Sequence, residues 1–185
     1  AFDFYPYSGL HRSVQFLSLP FWGIEDVTVT TDIEGSDGVV KVSVLCERDA
    51  PVTAELAGVM DSAVPEEGFA DLTLRIPNAR LWSPEDPYLY KLTVSLEGID
   101  TYSLNVGIRT VAVEGDKLLL NGKPVFLKGF GKHEDFPFSG RGLNRAVVLR
   151  DAELYDWVGA NSYRTSHYPY SEDWLDMADR RGYLV

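Results

Sequence analysis

The sequence predicts a mixed chain, an all-β immunoglobulin-like sandwich followed by the first β/α units of a parallel array, either a (β/α)8 TIM barrel or an open sheet. Three observations carry this reading. From about residue 22 to 111, short segments alternate apolar and polar residues with period two, with turn signals between them. After residue 112 the order becomes strand, helix, strand, helix, strand, which opens a parallel α/β array. A complete barrel needs about 250 residues, so residues 112–185 hold only its beginning.

Taken in order, residues 1–20 are aromatic and irregular and do not read as a complete domain. A strand over Ser13–Leu19, with Val14, Phe16 and Ser18 on one face, would need partners from outside the chain. Val27–Thr31 and Val39–Leu45 alternate cleanly around the turn cluster Glu34-Gly35-Ser36-Asp37-Gly38. Thr53–Ala57, Ala70–Ile76, Tyr88–Leu96 and Thr101–Ile108 are further strands, giving six or seven for the sandwich. Pro84 and Pro87 forbid regular pairing in Leu81–Tyr90, which becomes a corner with Tyr88 or Tyr90 as hydroxyl donor.

The hairpin at Leu118–Leu127 turns on Asn121-Gly122, a pair that takes the positive φ angles of a type I′ turn cheaply. A strand over Val125–Phe130 then runs into the polar loop Gly131–Asp135. Asn144–Val158 reads as a helix with Val147, Leu154, Trp157 and Val158 on its apolar face, ended by Gly159. Asn161–Thr165 is a short buried strand. Ser171 caps a second helix with Glu172 and Asp173 in its first turn, and Gly182 closes it before a strand at Tyr183–Val185.

Composition excludes some partners. Net charge is −11 and there is no run of Lys or Arg, which argues against nucleic acid and anionic membrane surfaces. No stretch of about 18 apolar residues could span a bilayer. The one cysteine, Cys46, lies in an alternating stretch and reads as a small buried hydrophobe without a disulfide. Ala1-Phe2-Asp3-Phe4 is not a signal peptide, and the compartment stays open between cytoplasm and periplasm.

Two polar groups follow consecutive strands: Lys132-His133-Glu134-Asp135 and Arg164-Thr165-Ser166-His167-Tyr168. In a barrel both would lie on the C-terminal face, where active sites of this fold occur, so His133 and His167 could reach one ligand. The competing reading is two ordinary polar loops. No zinc spacing, glycine-rich phosphate loop or Gly-x-Ser-x-Gly elbow is present, and no metal or cofactor is expected. Glu134 and Asp135 are neighbours in an extended segment and point apart, which suits a structural role better than a hydrolytic carboxylate pair.

Asn161-Ser162-Tyr163-Arg164-Thr165-Ser166-His167-Tyr168-Pro169, followed by Trp174-Leu175, Asp179, Gly182 and Tyr183-Leu184-Val185, resembles the signature of glycoside hydrolase family 2. Gly129–Asp135, Gly159–Tyr170, Gly9-Leu10-His11-Arg12 and the Leu81-Trp82-Ser83-Pro84 corner are similar to the β-glucuronidase branch. The β-galactosidase branch, which carries an Asn-Arg-His-Glu type loop at the first place, and a non-catalytic β-sandwich that binds carbohydrate or acts as a spacer remain alternatives.

The resemblance implies residues 1–20 as the end of a sugar-binding-like sandwich, 21–111 as the immunoglobulin-like domain and 112–185 as the start of the catalytic barrel. It implies retaining hydrolysis of terminal β-D-glucuronides by a homo-oligomeric full-length enzyme. The catalytic glutamates would lie after barrel strands four and seven, outside this chain, leaving the fragment inactive. Arg164 would support the nucleophilic carboxylate. His167, and His133 beside it, would bind the sugar.

Overall fold

The computed structural model describes residues 8–185 and contains two compact units. One spans Leu17–Val125; the other joins Phe126–Val185 with the described residues up to Phe16.

The first unit begins with β1 (Asp26–Glu34) and β2 (Asp37–Leu45), an antiparallel hairpin in register Glu34↔Asp37, followed by β3 (Val52–Leu56) and β4 (Val59–Ala63). β5 (Phe69–Ile76), β6 (Tyr90–Leu96) and β7 (Asp100–Val106) complete two sheets, of order β1-β2-β5 and β4-β3-β6-β7. Their inward residues fill a shared core that includes Val40, Val42, Val44, Leu56, Leu72, Leu74, Leu92 and Val94. This is the expected sandwich, with alternate residues pointing inward. Cys46 is fully buried in it, and burial pushes its thiol pKa up.

Sequence reading missed β4. Ala57 and Gly58, both at positive φ, make a two-residue turn that folds Val59–Ala63 back on β3. At the proline corner the Tyr90 hydroxyl accepts from the Arg80 amide at 2.8 Å. The corner tyrosine is therefore Tyr90, and its oxygen works there as an acceptor, because a backbone N–H can only donate.

A meander of β8 (Val111–Glu114), β9 (Lys117–Leu120) and β10 (Lys123–Pro124) follows in the same unit. Asn121 and Gly122 take φ of 53° and 72°, the turn their identities predict.

In the second unit, β11 (Gly129–Lys132) and β12 (Ser162–Thr165) pair in parallel, and Leu184 extends the pairing beyond β12. α1 (Arg145–Trp157) connects the two strands, and α2 (Glu172–Arg181) follows β12. β11 starts later than Val125. Residues 126–128 are held instead by Asn161, whose side chain accepts from Lys128 N (2.7 Å) and donates to Phe126 O (2.9 Å). Gly129 sits where a Cβ would come within 2.0 Å of Ser162 O, so only glycine permits this pairing.

Ser13–Leu19, read as a strand only with partners from outside the chain, forms none among the described residues. One more expectation fails. The buried face of α1 is Val148, Ala152 and Tyr155, not Val147, Leu154, Trp157 and Val158; Trp157 is 81% exposed. These three recur at i, i+4 and i+7, and small Ala152 admits the Tyr183 hydroxyl, which donates to its carbonyl at 2.8 Å. Tyr163, Tyr170, Trp174, Ala178 and Tyr183 complete this core. Burial holds the hydroxyls of Tyr163, Tyr170 and Tyr183 well above the usual tyrosine pKa.

Candidate functional site

The parallel register Gly129↔Ser162 through Lys132↔Thr165 makes β11 and β12 end level. The loops that leave them therefore start from the same sheet edge. That is why His133 and His167, from separate loops, lie with ring centroids 6.2 Å apart at 75°.

Arg164 is an exposed residue of β12. After Thr165 the backbone tightens: His167 N donates to Thr165 O at 2.7 Å, and His167 takes φ +79°, uncommon for a side-chain-bearing residue. Its ring then meets the Arg164 guanidinium, with Nη2 3.0 Å from His167 Nδ1. The three residues singled out from sequence thus stand together. Tyr168 joins them, its hydroxyl 3.4 Å from His133 Nδ1 and its ring 5.9 Å from the imidazole.

Beneath them lies a node built on Glu134, the residue expected to play a structural part in this loop. Glu134 is buried. Its Oε1 accepts from both the amide and the hydroxyl of Ser171 at 2.9 Å, and its Oε2 accepts from Arg12 Nη2 at 2.5 Å. Its backbone N–H donates to the Tyr168 hydroxyl at 2.7 Å. Ser171 stands at the N-cap of α2 but makes no side-chain cap bond, because its hydroxyl is spent on Glu134. The carboxylate itself sits at the helix start, where the macrodipole favours negative charge. Both carboxylate oxygens of Glu134 are engaged, so it holds loops together.

Lys132 is similarly structural. Its ammonium bonds Asp151 at 2.6 Å and lies 4.0 Å from the Trp174 ring centroid, leaving 9% of the side chain exposed. Among the described residues, no group of three His, Cys, Asp or Glu is placed to hold a metal ion. What the edge offers is a fixed cation and two imidazoles on an open face, a set suited to oxygen-rich, carboxylate-bearing ligands. Glu134 takes the structural role expected of it; the signals missed were its partners Arg12 and Ser171, the contact of Tyr168 with His133, and the bridging part of Asn161. Only Asn161 had a local cue, standing at the start of a strand where an amide can bridge a neighbouring backbone.

Residues 23–109 match the model of glycosyl hydrolases family 2, and residues 111–185 match the TIM barrel domain of the same family. Together the two segments take in most of the chain. The chain belongs to glycosyl hydrolase family 2. Its first β/α units are thus the start of a TIM barrel, preceded by the family's immunoglobulin-like domain.

Within the family, similarity is high to β-glucuronidases. The Paenibacillus borealis enzyme is 44% identical over 99% of the chain, and that of Rattus norvegicus 43% over 100%. The chain covers 32% and 30% of those two proteins, so it spans about a third of their length. Among solved structures, β-glucuronidase from Ruminococcus gnavus in complex with D-glucuronic acid superposes with a TM-score of 0.92 at 42% identity. That match covers 99% of this chain and 33% of the other. The same enzyme has been solved with D-glucaro 1,5-lactone.

Proposed function

We propose that this chain supplies part of the sugar pocket of a retaining glycoside hydrolase that cleaves terminal β-D-glucuronides, and is inactive alone. The observation that carries the reading is the meeting of Arg164, His167 and His133 at one edge of the parallel sheet. Similarity to β-glucuronidases, one of them bound to D-glucuronic acid, supports the choice of sugar. In this reading residues 1–20 end a sugar-binding-like sandwich, 21–111 form the immunoglobulin-like domain and 112–185 open the catalytic barrel.

Retaining hydrolysis needs two carboxyl groups about 5–5.5 Å apart across the scissile bond. Glu134 is committed to Arg12 and Ser171, so in this reading both come from later barrel strands in the parent enzyme. His167 and His133 hydrogen-bond sugar oxygens. Arg164, permanently charged, orients the nucleophilic carboxylate and keeps it ionised.

The test is turnover of chromogenic glycosides by this chain and by its full-length parent. The expected result is glucuronide cleavage by the parent only. Turnover by the chain alone overturns its inactivity, and a parent that prefers the galactoside overturns the substrate. In the parent, Arg164→Ala is expected to lower kcat on the order of 10²-fold, the scale of losing a transition-state charge partner. An unchanged kcat removes Arg164 from the mechanism.

A further inference from the structure

Asn121-Gly122, the turn between β9 and β10, is also a chemically labile pair. Glycine has no Cβ to shield its amide, and the asparagine carboxamide is a thermolabile group. In the reaction Gly122 N loses its proton to base and attacks Asn121 Cγ. The Cγ–Nδ2 bond breaks, Nδ2 takes up a proton and leaves as ammonia, and a five-membered succinimide remains. Water then opens the ring at either carbonyl, giving aspartate or isoaspartate. Gly122 is exposed, so water and hydroxide reach it. The fold opposes the first step. Asn121 Oδ1 accepts from the Thr110 amide at 3.0 Å, and Nδ2 donates to the Trp82 carbonyl at 3.0 Å. The Asn121 amide donates to Thr110 O at 2.9 Å, so its side chain continues the β8–β9 ladder beyond Leu120. The carboxamide is thus tied at both ends, to partners 11 and 39 residues away. Ring closure eclipses Cγ with the backbone carbonyl carbon, whereas side chains rest staggered. It also needs a ψ that the left-handed turn at Asn121, φ 53°, does not have. The carboxamide and the turn must both leave their places.

We propose that Asn121 is a fold-gated deamidation site: it stays intact while Thr110 and Trp82 hold it and reacts when the β8–β10 meander opens. The products close less well than the parent. Aspartate sets a carboxylate oxygen against the Trp82 carbonyl, which then lacks its donor. Isoaspartate adds a methylene to the main chain between Leu120 and Gly122, against the pairing Leu120↔Lys123. The modification therefore marks chains that have been open and holds them there. It belongs to the Leu17–Val125 unit and does not rest on the sugar-binding reading above.

The experiment incubates the intact chain in mildly alkaline buffer made with ¹⁸O water and reads conversion at Asn121 by peptide mapping. A synthetic peptide of residues 117–127 gives the unrestrained rate. Conversion in the folded chain is expected to be slower than in the peptide by about 10-fold or more, the scale of two hydrogen bonds. It is also expected to rise with sub-denaturing guanidinium in step with hydrogen exchange of the Thr110 amide, which reports the same opening. Equal rates in chain and peptide overturn the gate. So does conversion that is independent of Thr110 exchange. Neither measurement needs a variant to fold. Asn121→Asp is expected to lower the Tm of the chain, and an unchanged Tm overturns the account of the product.

Discussion

Removing the Glu134 carboxylate should loosen three segments at once. In Glu134→Ala the amide and hydroxyl of Ser171 lose a shared acceptor at 2.9 Å, and Ser171 is 4% exposed, so water replaces it poorly. Each buried donor left without an acceptor costs about 1–3 kcal/mol. The Arg12 side chain is 36% exposed and can turn to solvent, so its lost ion pair adds little. The expected loss is about 3–5 kcal/mol, read as hydrogen-exchange protection of the Trp174–Arg181 amides, which report on α2 and its core. Glu134→Gln keeps an acceptor for Ser171 and should cost about half as much. A loss below about 1 kcal/mol for the alanine variant, or equal losses for both variants, refutes the account of the carboxylate as an acceptor node.

Gly129→Ala places a methyl within 2.0 Å of the Ser162 carbonyl, a backbone atom that cannot step aside. A cost above about 3 kcal/mol is expected in thermal or urea unfolding, and a neutral result would mean β11 and β12 pair differently. Alkali tests the tyrosine core. Folding raises the pKa of Tyr163, Tyr170 and Tyr183, so the folded state keeps protons that the unfolded chain releases. That stabilisation is complete below the ordinary tyrosine pKa of about 10 and declines as pH rises beyond it. Phenolate absorbance should therefore appear together with loss of circular dichroism; early, non-cooperative ionisation of all the tyrosines would contradict their burial.

The parts of the fold that could be read from sequence were those with local causes. Alternation in Val39–Leu45 and the Asn121-Gly122 turn answer to period two and to glycine's tolerance of positive φ. β4 escaped because Val59–Ala63 has little β-branched content and Ala57 is a poor advertisement for a left-handed turn. The inner face of α1 was misjudged by hydrophobicity alone. Close approach to Tyr163 and Tyr183 selected Ala152, while larger apolar residues stayed outside. His133, Arg164 and His167 were legible because polar loops after consecutive parallel strands must share an edge. Glu134 was legible as a structural residue of its loop, while its partners were not, since they lie 122 and 37 residues away and leave no local pattern.

That longest separation also bears on synthesis. A ribosome adds roughly 5–20 residues per second, so Arg12 exists for about 6–24 s before Glu134 is even translated. Within that interval β1 and β2 can already have closed their hairpin, whose two strands are joined by only Gly35 and Ser36. The sandwich core can therefore assemble on the nascent chain while the Arg12 segment waits. The ion pair is a late event of biogenesis, and slowing translation between residues 12 and 134 lengthens the time during which that segment is open to proteases and chaperones.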